Sequence, residues 1–205
     1  HTISQYHGRE IEGLGAEGVM AYHQNKPTLT FEQLKELTEL AHAHGVAVAS
    51  HDDDVAEKLA LNRALGVDIS EFPILLDTAK AAQAMGFFTV VGAPNILMGS
   101  SHSGNMSAAE SICAGAADII CSDYYPPSML HGVFSMARKY SVPLHEMVRR
   151  VTLNPARAVR IDRDFGSLAP GKAADLIIVD EMDGYPVVTD VLVDGQHAAS
   201  VTYRR

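Results

Sequence analysis

Cysteine is scarce in this sequence: two in 205 residues, Cys113 and Cys121, both inside apolar stretches. That excludes a disulfide framework and sets a reducing, cytoplasmic setting as the expectation. Positive charge is also in short supply. Sixteen Lys and Arg face 25 Asp and Glu, for a formal net charge of −9. Phosphate backbones are held by basic surfaces, so a general nucleic-acid binder is not expected. An anionic small molecule stays open as a partner, because backbone N–H groups or a metal can reverse the sign of a pocket. No apolar run reaches membrane-spanning length, and no stretch has the basic, apolar, small-residue order of a signal peptide. No membrane partner is therefore expected.

What is present is ordinary globular material, 47% hydrophobic and 20% charged, enough for one domain or one and a half. Four times a short apolar run leads through a polar loop into a helical pattern. The runs are VAVAS (46–50), VDISEF (67–72), FFTVVGAP (87–94) and ADIICSD (117–123). Thr30 with Gln33 and Ser107 with Glu110 have capping-box spacing. Asp53 or Asp54 is expected to cap the helix that runs to about Leu65, and Gly45, Gly66 and Gly86 stand where helices should stop. Near-continuous apolar strands alternating with helices predict an α/β fold with a parallel sheet.

Two parallel arrangements compete, a closed barrel and an open doubly wound sheet. No strand-like run is followed by the G-x-G-x-x-G dinucleotide fingerprint. Every run instead ends in chemistry, SHDDD, SEFP, GAPN and SDYYPP, as in a barrel where several strands feed one site. A full (β/α)8 barrel needs about 250 residues and eight units. About four units fit here, so residues 1–160 read as a partial TIM barrel. Residues 161–205, with GSLAPGKAADLIIVD and a VDGQ turn, read as a small β piece.

His51 closes a buried strand, where neutral imidazole makes a good divalent-metal ligand, though pairing with a nearby carboxylate is the commoner fate of a single histidine. Glu71 also closes a buried strand and should be solvated, paired or on a metal. Asp123 either begins the turn ahead of YYPP or serves as a metal ligand or general base. Asp52, Asp53 and Asp54 cannot all be ligands, and at least one is expected as a helix cap. The loop 92–105, GAPNILMGSSHSGN, places Asn95, Ser100, Ser101, His102, Ser103, Gly104 and Asn105 ahead of a helix N-terminus. That combination suits a phosphate or oxyanion cradle. His42 and His44 imitate a strand-borne metal pair, but on a helix spanning 31–44 they face nearly opposite ways.

These strand ends, followed by GSLAPGKAADLIIVD, resemble the C-terminal part of the amidohydrolase superfamily, a metal-dependent (β/α)8 barrel carrying a β-sandwich. SHDDD, EFP, GAPN…GSSHSGN, SDYYPPSML and NPAR together are similar to a phosphonate-catabolising branch of it. The resemblance implies hydrolysis of a ribose 5-triphosphate to the 5-phosphate and pyrophosphate with a divalent metal, zinc or manganese. It implies His51 and Asp123 as metal ligands, Asp123 also as proton acceptor, Glu71 and His1 as further metal contacts, and the 99–105 loop against phosphate or sugar. Two features of the family are missing: the opening strand with its HxH ligands, and the early sandwich strands. Hydrolysis of a C–N bond in a cyclic amide or deamination substrate is the alternative within the superfamily, and a non-catalytic fragment is the alternative outside it. Half a barrel exposes strand edges, so a homo-oligomer is expected.

Overall fold

A computed structural model describes residues 28–99 and 105–203, together with Gly18 and Ala21. The chain divides into two compact units, His1–Leu34 and Lys35–Arg205; the sheets belong to the second. Helix α1 (Phe31–Ala43) begins in the first unit behind a reciprocal capping box. There the Thr30 amide donates to Gln33 Oε1 at 2.9 Å and the Gln33 amide to Thr30 Oγ1 at 3.3 Å.

From α1 the chain alternates strictly: β1 (Ala49–His51), α2 (Ala56–Leu65), β2 (Ile69–Glu71), α3 (Leu76–Ala84), β3 (Phe88–Gly92). Two short helices follow, α4 (Ala93–Met98) and α5 (Ala108–Cys113), then β4 (Ile119–Cys121) and α6 (Ser128–Tyr140). The four strands form one parallel sheet in the order β1-β2-β3-β4, the topology that βα units joined in sequence dictate. The helices stop where glycine allows it. Gly45, Gly66 and Gly86 have φ of 73°, 91° and 86°, a left-handed conformation that costs glycine little.

The sheet's two faces differ in kind. Ser50, Ser70 and Thr89 lie side by side in register and point to the helix layer. Ser70 and Thr89 are fully buried there. On the opposite face, by the period of two, Ile69, Phe88, Val90, Ile119 and Cys121 cluster with Ala158. The largest core lies between β3, β4 and the helices α4 to α7, with Ile120, Val133, Met136 and Met147 essentially solvent-free.

The expected Asp cap on α2 is not there. The N-cap residue is Val55, with no side-chain cap bond. Asp53 instead lies fully buried beneath the strand ends. Its Oδ2 accepts from the Ser50 and Ser70 hydroxyls at 2.6 Å each, and its Oδ1 from the Asn62 amide at 2.8 Å. Three donors satisfy a carboxylate better than one frayed helix amide, so the cap position lost.

LHEMVRRVTLNPARAV forms two helices, α7 (Leu144–Val151) and α8 (Leu153–Ala158), broken at Thr152, whose φ and ψ are −130° and −83°. Pro155 explains the break: its ring would collide with the Val151 carbonyl, and it has no amide to offer. Three antiparallel strands then form a separate sheet, β5 (Leu176–Met182), β6 (Tyr185–Val193) and β7 (Gln196–Ser200). Both hairpins turn on Asp-Gly, Asp183–Gly184 and Asp194–Gly195, with positive φ at all four residues. That is the two-residue turn matched to strand twist.

Candidate functional site

Site chemistry gathers at the C-terminal edge of the parallel sheet. His51 and Glu71, the last residues of β1 and β2, are direct register partners on the face opposite the serine row. Cys121 ends β4 opposite Gly92 on the same face, and Asp123 follows two residues later. Three of the four strands, β1, β2 and β4, leave the sheet through a left-handed residue, Asp52 (φ 54°), Phe72 (φ 55°) and Asp123 (φ 50°) respectively. Asp tolerates this conformation; for a bulky residue such as Phe72 it is an outlier of the kind that clusters at functional sites. The surroundings hold it. The Phe72 amide donates to the Val90 carbonyl and the Asp52 amide to the Glu71 carbonyl, both at 3.0 Å. Lys58 reaches from α2 to the carbonyls of His51 and Asp52 at 3.1 and 2.7 Å.

The His51 ring is 57% exposed, with Nδ1 3.2 Å from Asp52 Oδ2 and its edge toward Phe72 at 5.2 Å between centroids. Asp123 sits over Gly92: a Cβ built on that glycine would lie 3.4 Å from Asp123 Oδ2 and 3.5 Å from Phe72 Cε1. A methyl group there would just touch the carboxylate and the Phe72 ring at van der Waals distance, so only a larger side chain would close the floor. Burial, and then the nearby charges of Glu71 and Asp123, push the Cys121 thiol up to about 11, despite a hydrogen bond from the Asp123 backbone. The thiol is thus a neutral neighbour of two carboxylates.

Beside these groups opens a cavity of about 220 Å³. Phe72, Pro73, Pro94, Met98 and Tyr124 give it apolar walls, Asn95 and Asn105 bring amides, and Asp52 and Asp123 are its charged residues. The Asn95 side chain is already engaged, accepting from the Ala108 amide at 2.9 Å and facing the Met106 carbonyl at 3.5 Å. It pins α5 to α4 while lining the cavity.

Of the residues expected from sequence, the structure brings Asp123, Asn95 and Asn105 to the cavity and sets His51 and Glu71 side by side at its strand edge. His1, Ser100, Ser101, His102, Ser103 and Gly104 lie outside the described residues. His42 pairs with Asp68 at 2.8 Å, so the His-Ala-His imitation is a helix-end contact. Sequence reasoning passed over Phe72, Met98 and Tyr124. Two of them flank flagged carboxylates, Phe72 after Glu71 and Tyr124 after Asp123, and that adjacency was the available signal.

The donors fit a divalent ion by type, imidazole with hard carboxylates. They do not fit by number: among the described residues, no group of three or more His, Cys, Asp or Glu is arranged to hold a metal.

Four parallel strands joined by helices, with the site chemistry at their carboxyl ends, are what one half of a TIM barrel presents. The family comparison agrees: the Amidohydrolase family model matches residues 2–198, and the chain belongs to that family. It is similar to the Escherichia coli (strain K12) alpha-D-ribose 1-methylphosphonate 5-triphosphate diphosphatase, 35% identical over 196 residues, covering 85% of this chain and 52% of that protein. A shorter likeness, 35% over 82 residues, links it to adenine deaminase 1 of Desulfotalea psychrophila, covering 40% of this chain and 14% of that one. Among solved structures, an enamidase described as a new member of the amidohydrolase superfamily superposes with a TM-score of 0.64 at 18% identity. That match covers 83% of this chain and 52% of the enamidase, and it shows the shared fold. The chain thus spans about half the length of the diphosphatase it matches, and is the C-terminal portion of such a barrel with its antiparallel sheet. No described helix is long and apolar enough to cross a membrane.

Proposed function

We propose that this chain supplies the C-terminal half of a metal-dependent hydrolase that releases pyrophosphate from ribose 1-methylphosphonate 5-triphosphate. The observation that carries the reading is that His51, Glu71 and Asp123 all stand at the C-terminal ends of one parallel sheet, Asp123 lining the cavity, in a chain 35% identical to such a diphosphatase over 85% of its length. His51, Glu71 and Asp123, too few as they stand to close a metal site among the described residues, would form part of a ligand set for zinc or manganese, with His1 as a further contact. A divalent ion bound there would supply the positive charge that this acidic edge lacks for phosphoryl oxygens. Asp123 Oδ2, held above Gly92, accepts the proton of the attacking water. Asn95 and Asn105 line the substrate's path, and the sequence of Ser100–Gly104 suits contact with phosphate or sugar.

The adenine deaminase likeness favours a second reading, hydrolysis of a C–N bond. The small number of donors among the described residues favours a third, a fragment that keeps the fold without turnover. Incubation of the chain with the triphosphate and Mn²⁺ or Zn²⁺, assayed for pyrophosphate and in parallel for ammonia from adenine, separates them. Pyrophosphate release supports the diphosphatase; ammonia alone supports the deaminase; neither product, with no metal retained, supports the inert fragment. Among the described residues β1 and β4 are the edge strands of the parallel sheet, and on that ground we further propose self-association. A concentration-independent monomer in sedimentation would end that idea.

A further inference from the structure

The cavity walls are mismatched to a phosphate chain. Among its described lining residues the charged groups are Asp52 and Asp123, and none is Lys or Arg. A run of phosphates there would meet two carboxylates and a hydrocarbon surface. The lining suits a neutral ring with one apolar face and a polar rim. Phe72, Pro94, Met98 and Tyr124 provide the hydrocarbon, and Asn105 provides an amide. A pentose is such a body: its C–H face packs on an aromatic ring, and its hydroxyls pair with amides.

We propose that Tyr124 is a specificity-determining residue that seats the sugar ring of a pentose phosphate ester, which rests on reading this site as one for a ribose triphosphate. Its position selects it. Tyr124 directly follows Asp123, so a sugar lying on its ring is placed one residue from the carboxylate that takes the proton. The ring is 65% exposed, and its hydroxyl lies 3.9 Å from Met98 Sδ across the cavity mouth. The ring face is thus available to a ligand while its tip rests against α4. From a sugar seated on Tyr124 the phosphates extend toward Asp123, where the proposed function places the cation that offsets its charge.

The test is saturation-transfer NMR on the full chain with ribose 5-phosphate, using inorganic triphosphate as the phosphate-only control. The expected result is saturation of the ribose ring protons, a dissociation constant within about twofold of wild type in Tyr124→Phe, and one weakened about tenfold in Tyr124→Ala, the scale of losing one aromatic stacking partner. Triphosphate binding should not change in either variant. Equal ribose 5-phosphate affinity in Tyr124→Ala, an absence of sugar binding, or a parallel loss of triphosphate binding would each overturn the seat. Pyrophosphate release from the full substrate, measured on the same samples, separates this inference from the functional reading. Release with an unchanged KM in Tyr124→Ala removes the seat and leaves the diphosphatase. Tyr124-dependent sugar binding without release leaves the seat and removes the diphosphatase.

Discussion

Replacing Asp53 with alanine removes the acceptor for three side chains at once. The Ser50 and Ser70 hydroxyls donate to Oδ2, the Asn62 amide donates to Oδ1, and the Lys58 ammonium stands 3.5 Å away. Ser50 is only partly buried and can turn to water, and Lys58 is about a third exposed, so neither contributes much to the loss. Ser70 and Asn62 are buried and become orphans. At about 1–3 kcal/mol for each buried donor left unpaired, the loss is about 4 kcal/mol. That is a large part of the ~5–15 kcal/mol that holds an ordinary domain. Asparagine should behave differently. Its oxygen can face the two serines if its NH₂ faces Asn62, which then turns its own oxygen inward. All the bonds survive without the charge, for a loss of about 1–2 kcal/mol. Urea unfolding followed by far-UV circular dichroism measures both, with an unchanged slope confirming the same transition. A loss below about 1 kcal/mol in Asp53→Ala, or equal losses in the two variants, would refute the clamp.

At the other end of the sheet, partial burial raises the Asp68 carboxyl, but the Val48 amide, His42 and Arg160 outweigh it and hold it below its ordinary 3.8. A lowered carboxylate stabilises above its unfolded value and loses that contribution as pH falls through the folded one. Acid unfolding of Asp68→Asn should therefore show a shallower pH dependence below 3.8 than wild type, and parallel curves would contradict the pairing. Gly166→Ala would place a Cβ 2.7 Å from Ala156 Cβ and 3.0 Å from the Thr152 carbonyl at φ +86°, so a loss of about 2–4 kcal/mol is expected by thermal melt. Thiol labelling of the native chain at pH 8 should proceed quickly at exposed Cys113 and slowly at Cys121, whose thiol is pushed up to about 11. Equal rates at the two cysteines would count against the burial of Cys121 beside the two carboxylates.

The strand-helix alternation was legible because the strand runs are mostly apolar and glycines, Gly45, Gly66 and Gly86, mark the stops of α1, α2 and α3. Strand β1, expected to be buried, is an edge strand of the described sheet and is exposed at Ala49 and His51. The ends of β2 and β4 could be read because polar groups have no reason to close largely buried strands. The division of labour within SHDDD could not. Asp52, Asp53 and Asp54 look alike in a string, and only folding brings Ser70 and Asn62, 17 and 9 residues away, to the middle one. Phe72 was hidden for a similar reason: a phenylalanine after a strand signals core, and its left-handed backbone appears only once Val90 takes its amide. The second Asp-Gly hairpin, at 183–184, had the same local signal as VDGQ and was legible in principle.

The placement of Ser50 and Ser70 opposite His51 and Glu71 has a consequence for how the sheet assembles. Because side chains alternate, sliding β1 by one residue against β2 would carry His51 into the helix layer and take Ser50 away from Asp53. The misregistered chain would bury an imidazole among helices and strand a carboxylate at the same time. The polar clamp therefore works as a proofreading device during assembly: a slipped pairing is penalised on both faces together, and only the pairing that builds the reactive edge escapes the penalty.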